Sequence, residues 1–322
     1  MVMAQTLFKL IKARQPDAVM DVLAPDWTRA LLSRMPEVRE AISLPIGHGQ
    51  FGLFRRIKMA RQLRKKGYDE AIVLPNSWKS ALVPFLAGIQ KRVGWVGESR
   101  YGLLNDTRVR DEQKYPLMIE RFMALGLDKS ETLQKPYPVP ELIVDQASLQ
   151  AALKKHHLNT EKPILAICPG AEFGPSKRWP TEYFSIVANQ KLLQGYQVWL
   201  FGSKNDLPMA QEIQKQTEGC AVNLAGLTSL DEAIDLLSLA NIVVSNDSGL
   251  MHVACALKKR IIALYGSSSP SFTPPLSESV RILNLNLPCG PCFKRECPLA
   301  HWRCMLDLKP IMVLDAIKQF EI

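Results

Sequence analysis

The run Val243-Val244-Ser245-Asn246-Asp247-Ser248-Gly249-Leu250-Met251-His252 joins an apolar, β-branched stretch to a helical pattern through Asn-Asp-Ser-Gly. Leu250, Val253, Ala254 and Leu257 keep helical spacing, so a strand, a tight turn and a helix start are expected there. The first amides of that helix lack intrahelical partners and favour an anion. Gly249 lets a phosphate approach the backbone. Asp247, at the carboxyl end of the strand, suits sugar hydroxyls better than phosphate. The turn therefore reads as a seat for a phosphorylated sugar, and equally as an ordinary N-cap.

Two further loops carry suitable chemistry. Cys168 to Pro180 follows a strand, bends at Gly170 and Gly174, and offers Lys177 and Arg178 as positive charge for a diphosphate. It also reads as a solvated loop anchored by Trp179. Phe201-Gly202-Ser203-Lys204-Asn205-Asp206 follows another strand, and an acid there can pair with ribose hydroxyls.

These loops need a scaffold. The pattern predicts helices over 1–14, 27–33, 77–86, 116–125 and 146–156, with strands over 18–23, 70–74 and 92–95. A clean restart follows Lys162-Pro163: strands at 164–168, 197–201, 221–224, 242–245 and 261–265 alternate with helices at 181–194, 207–216, 229–239, from about 248, and 313–320. Alternation of this kind predicts α/β domains with doubly wound parallel sheets. Pro136, Pro138 and Pro140 separate two such domains, expected as 1–150 and 151–322, with ligands beyond the carboxyl ends of the strands.

Composition narrows the function classes. The 322 residues are 47% hydrophobic and 22% charged, as in globular proteins rather than disordered or fibrous ones. No apolar run reaches spanning length, and the N-terminus lacks the core of a secretory signal. Seven cysteines do not suggest a secreted disulfide framework, so a cytoplasmic location is expected. Lys+Arg 40 exceed Asp+Glu 31, and Arg55, Arg56, Lys58, Arg61, Arg64, Lys65 and Lys66 crowd one predicted helix. That helix reads as a solvated surface or as a face for an anionic membrane; nucleic acid is not expected, because no recognised binding module is present.

Cys289, Cys292, Cys297 and Cys304 form C-x2-C-x4-C-x6-C around His301. They could hold a structural metal such as zinc, or an iron–sulfur cluster, or remain reduced thiols in an irregular loop. Cys168, Cys220 and Cys255 read as packing residues, and so does His252. Asn76, Lys79 and Arg100 sit where first-domain loops or helix starts could meet an anionic acceptor.

Leu74-Pro75-Asn76-Ser77, Arg100-Tyr101-Gly102-Leu103-Leu104-Asn105-Asp106, Pro169 to Pro175, Lys177-Arg178-Trp179-Pro180, Asn246 to His252 and Phe272-Thr273-Pro274-Pro275 together resemble the ADP-heptose:lipopolysaccharide heptosyltransferases, over nearly the whole chain. The resemblance implies a GT-B fold: two Rossmann-like domains facing a cleft, acceptor on the first and nucleotide sugar on the second. It implies inverting transfer of L-glycero-D-manno-heptose from ADP-heptose to the first heptose of the lipopolysaccharide inner core. By the same resemblance Lys177 contacts the donor phosphates, Asp247 the heptose, the amides of Ser248 and Gly249 the diphosphate, and Asp206 the ribose. A monomer lying peripherally on the inner face of the cytoplasmic membrane is expected, with no cofactor required. The family's opening strand and Gly-Asp turn, whose Asp is its general base, stand ahead of the position of Met1-Val2-Met3-Ala4-Gln5, so no catalytic base is assigned. Without that base, a silent sugar-nucleotide-binding protein is the alternative, as is a nucleotide-sugar epimerase of GT-B architecture.

Overall fold

Every strand pairing among the described residues is parallel, as the alternation of strand and helix demands. The computed structural model describes residues 1–47 and 51–321. The helices are α1 (Gln5–Arg14), α2 (Arg29–Leu32), α3 (Leu53–Arg64), α4 (Trp78–Ala87), α5 (Met118–Met123), α6 (Gln146–Lys155), α7 (Thr181–Leu193), α8 (Leu207–Gln216), α9 (Leu230–Leu237), α10 (Gly249–Ala256), α11 (Arg303–Leu306) and α12 (Pro310–Lys318). The strands are β1 (Met20–Ala24), β2 (Val38–Ser43), β3 (Glu70–Val73), β4 (Lys91–Trp95), β5 (Asp106–Arg108), β6 (Ile164–Cys168), β7 (Gln197–Leu200), β8 (Val222–Asn223), β9 (Ile242–Asn246), β10 (Arg260–Leu264) and β11 (Val280–Leu283).

The chain divides between Pro138 and Val139, ahead of the expected boundary at residue 150. The reason is α6, which belongs with the second unit. The Asp145 N–H donates to Asp235 Oδ1 (3.1 Å), and Lys155 Nζ meets Glu232 Oε1 (2.7 Å) at the start of α9. The Leu142 N–H also reaches Ala256 O, at 3.1 Å.

In the first unit the strands form two pieces, β1-β2 and β3-β4-β5. Among the described residues, β1 and β3 each keep one edge without a strand partner. Met59, Ala60 and Leu63 of α3 and Val83 and Ala87 of α4 pack as one cluster against Leu23 of β1, Ile42 of β2 and Ala71 of β3. The two helices thus cover both pieces. Two of the basic side chains of α3 are engaged by backbone carbonyls. Arg56 is buried and donates to Phe51 O and Lys79 O (both 2.8 Å), while Arg64 caps α4 through Ala87 O and Leu86 O. Lys58, Arg61 and Lys65 remain exposed.

The second unit is a single sheet in the order β11-β10-β9-β6-β7-β8. β6 and β9 are buried along their whole length, which explains their unbroken apolar sequences. β6 pairs with β9 so that Cys168 lies opposite Ser245. The chain leaves β6 towards β7 on one side and returns to β9 on the other, so a switch point opens between their carboxyl ends. Trp179, Phe184 and Val187 pack with Leu165, Ile167 and Val244 in the core beneath it. Strands β2, β5 and β11 were not expected from the sequence. β2 and β11 carry charges and half-exposed faces, and β5 has only three residues, so none shows a continuous apolar run.

Glu232 ties α6 to α9. Burial opposes its ionisation, but hydrogen bonds from Lys155 and the Ser229 N–H outweigh burial and hold its pKa at about 2. Because the folded pKa lies below the unfolded value, the stabilisation is full above pH 4.5 and is lost as pH falls towards 2. Glu232→Gln should therefore cost about 1 kcal/mol at pH 7. In urea titrations the gap from the unaltered protein should narrow at pH 3; an equal gap at both pH values would show that the carboxylate charge is not involved.

Candidate functional site

The loops after β6 and β9 meet at the switch point. Asn246, the last residue of β9, is fully buried and links them: its Nδ2 donates to Pro169 O (2.6 Å), and its Oδ1 accepts from the Trp179 N–H (3.2 Å). Trp179 is itself anchored by a bond from Nε1 to Leu308 O at 2.7 Å. The intervening segment closes in a short turn, Pro175–Lys177, which delivers Lys177. Lys177 Nζ lies 2.5 Å from Asp247 Oδ2 and 5.0 Å from the centroid of the Phe173 ring. The Asp247 side chain is 4% exposed and that of Lys177 16%. Two residues far apart in sequence thus form one shielded ion pair.

Just beyond Asp247, α10 begins. Ser248 Oγ caps it by accepting from the Met251 N–H (3.4 Å) and lies 3.2 Å from Ser245 Oγ. The Asp247 N–H is engaged by Leu264 O at 3.0 Å, so an incoming anion would meet the amides from Ser248 onward. A side chain at Gly249 would point into open space, and the bare backbone is presented there. His252, one turn into α10, places Nε2 4.0 Å from Asp247 Oδ1. Burial pushes its pKa down, against the pull of the Asp247 carboxylate, and the imidazole is neutral at pH 7. The sequence pattern gave His252 a packing role; the only cue to its place beside Asp247 is its position in the first turn after the acid.

Asp206 is buried behind these loops. Its Oδ2 accepts from the Ser203 N–H (2.9 Å) and Ser203 Oγ (2.8 Å), which caps the turn leading into α8. Among the described residues, its Oδ1 has no partner. Gly170 makes this possible: a Cβ there would lie 2.3 Å from the Asp206 carboxyl carbon. Asp206 is therefore a capping residue with one acceptor left over.

In the first unit, Asn76 and Lys79 flank the start of α4, with Asn76 exposed and Lys79 half-buried. Arg100 does not join them at the surface. It is 2% exposed, and its guanidinium donates to Pro75 O (2.5 Å), Asn76 Oδ1 (3.4 Å) and Trp95 O. Burial lowers its pKa, yet three oxygens hold the cation in place. Arg100 thus positions Asn76, and the expectation that it reaches a ligand is corrected.

The four clustered cysteines lie at the edge of the second unit. All four line one cavity of about 200 Å³ together with His301 and Ser176. Among the described residues, no group of three or more His, Cys, Asp or Glu is gathered closely enough to hold a metal ion.

With this geometry in view, comparisons with known proteins are specific. The family described as Glycosyltransferase family 9 (heptosyltransferase) matches residues 56–303. Lipopolysaccharide heptosyltransferase 2 of Escherichia coli K12 is 46% identical over 326 residues, covering 98% of this chain and 94% of the relative. Lipooligosaccharide heptosyltransferase 2 of Haemophilus influenzae Rd is 47% identical over 332 residues, covering 99% and 95%. The solved structure of E. coli ADP-heptose lps heptosyltransferase II is similar with a TM-score of 0.89 at 44% identity, covering 99% of this chain and 94% of that one.

Gly170→Ala tests the packing behind the site. The added methyl must displace the Asp206 carboxylate and should cost about 1–3 kcal/mol. Thermal unfolding should show the loss, and ADP affinity should fall with it. Unchanged stability would mean that the loop can shift without consequence.

Proposed function

The chain belongs to glycosyltransferase family 9, the heptosyltransferases, and on that premise we propose that it moves L-glycero-D-manno-heptose from ADP-heptose to the first heptose of the lipopolysaccharide inner core, with inversion. It is a glycosyltransferase of GT-B fold. The observation that carries the finer reading is the meeting of Lys177, Asp247 and the start of α10 at one switch point. A cation and free amides face a diphosphate there, and a carboxylate faces a sugar.

The chemistry follows from charge. The acceptor hydroxyl oxygen bonds to the anomeric carbon as the bond from that carbon to the ADP oxygen breaks. Negative charge grows on the departing diphosphate, where the Lys177 ammonium and the α10 amides stabilise it. Asp247 accepts hydrogen bonds from the heptose hydroxyls while holding Lys177 in place. His252 Nε2 stands 4.0 Å from the other carboxylate oxygen. Asp206 Oδ1 serves a ribose hydroxyl. No residue of these loops is assigned to take the proton of the attacking hydroxyl. ADP-heptose is the donor substrate, and no step requires a metal.

Asn76 and Lys79 would meet the anionic lipopolysaccharide acceptor. Lys58, Arg61 and Lys65, with Phe54 86% exposed beside them, support peripheral binding to the inner face of the cytoplasmic membrane. No helix among the described residues is long and apolar enough to cross a membrane.

The purified protein should transfer heptose from ADP-heptose to a lipid A–Kdo–heptose acceptor; donor binding without transfer would sink the reading. Lys177→Ala should lower kcat/KM by a factor on the order of 10²–10³, with Lys177→Arg restoring only part of the loss. Equal rates for Lys177→Ala and the unaltered protein would remove Lys177 from the leaving-group role. Lys79→Ala should raise the acceptor KM several-fold and leave the donor KM in place, as steady-state kinetics with each substrate varied would reveal.

A further inference from the structure

Phe173, in the loop after β6, is 39% exposed, so burial in the core does not account for a phenylalanine there. Its backbone is nevertheless firmly held. Arg295 Nε donates to Phe173 O (2.7 Å), the Ser176 N–H donates to Arg295 O (3.1 Å), and Ser176 Oγ donates to Lys294 O. Gly174 lies against the same strip of chain: a Cβ there would stand 2.6 Å from Arg295 O. The segment after β11 thus clamps residues 173–177 as a unit and fixes the ring relative to the lysine. Lys177 Nζ lies 5.0 Å from the Phe173 ring centroid and 2.5 Å from Asp247 Oδ2. The Lys177 side chain is largely withdrawn from water, and a cation over an aromatic face is held more strongly where water is excluded.

We propose that Phe173 is a positioning residue for the transfer reaction: its ring face holds the Lys177 ammonium while that ammonium's hydrogen bonds pass from Asp247 to the departing diphosphate. The proposal rests on the reading of Lys177 as the leaving-group cation. With Asp247 as its one partner, Lys177 would have to surrender a strong, directional bond before it could serve the phosphate. The ring removes that conflict. Its attraction acts on a cation over the face and demands no hydrogen-bond direction. An ammonium has three N–H donors on a flexible stem, so it can turn towards the diphosphate while staying over the ring. The carboxylate sets where the ammonium waits, and the ring keeps it near as it turns. No bond is made or broken at Phe173, and no proton moves to or from it.

The test replaces Phe173 in the full-length protein with phenylalanines carrying one, two and three ring fluorines. Fluorine nearly preserves the shape of the ring and progressively drains the negative charge from its face. With ADP-heptose and a lipid A–Kdo–heptose acceptor, log kcat/KM should fall in even steps, by about tenfold across the series, with the thermal midpoint unchanged. Phe173→Leu should lose about as much, and Phe173→Tyr should keep nearly all the activity. ADP affinity, measured by calorimetry, should follow the same order whatever acceptor is supplied. In a Lys177→Ala background the fluorine series should be flat, because the cation it acts on is gone. A flat series in the otherwise unaltered protein, with Lys177→Ala still impaired, overturns the role of Phe173 and leaves Lys177 in place. A decline that persists without Lys177 also overturns it, since the ring would then act through another group. If Lys177→Ala is as active as the unaltered protein, the leaving-group reading fails and this proposal falls with it.

Discussion

The ion pair between Lys177 and Asp247 is the constraint around which the second unit is arranged. Both groups are largely removed from water, and removing one partner from such a pair costs about 3–5 kcal/mol because the other charge is left stranded. The surrounding polar groups are therefore firmly placed. Asn246 links the two loops, Trp179 anchors one of them in the core, and Ser248 closes the helix start on the other. Lys177 is thereby held against the carboxylate at the turn that leads into α10.

That arrangement depends on sheet order. β6 stands between β7 and β9, so the loops after these strands open at the same end of a parallel sheet. Lys177 and Asp247 come from two different crossovers and meet because of that order. Glycine assists where backbone and side chain must approach: Gly170 makes room for the Asp206 carboxylate, and Gly249 leaves the amides of α10 bare.

The first unit shows how little charge reveals about role. Arg56, Arg64 and Arg100 look in sequence like cations available to an anionic partner. Each instead donates to backbone carbonyls at helix or loop ends, where the planar guanidinium satisfies several acceptors at once. Lys58, Arg61 and Lys65 on the same helical segment stay in water. The division follows the geometry of α3 against α4 and not the composition of α3.

Local pattern alone settled much of this protein. Apolar runs ending in Gly, Ser and Asp located the strands that bear the site, and Ser-Gly before a helical period located the start of α10, because these preferences act within a few residues. The long shared motifs identified the family for the same reason: Lys177-Arg178-Trp179-Pro180 and Asn246 to His252 are contiguous. Tertiary structure decided the rest. It placed His252 beside Asp247, turned Arg100 inward, moved α6 into the second unit, and gathered four cysteines around one cavity. None of these is a local property, since each depends on which surfaces are buried when distant segments meet.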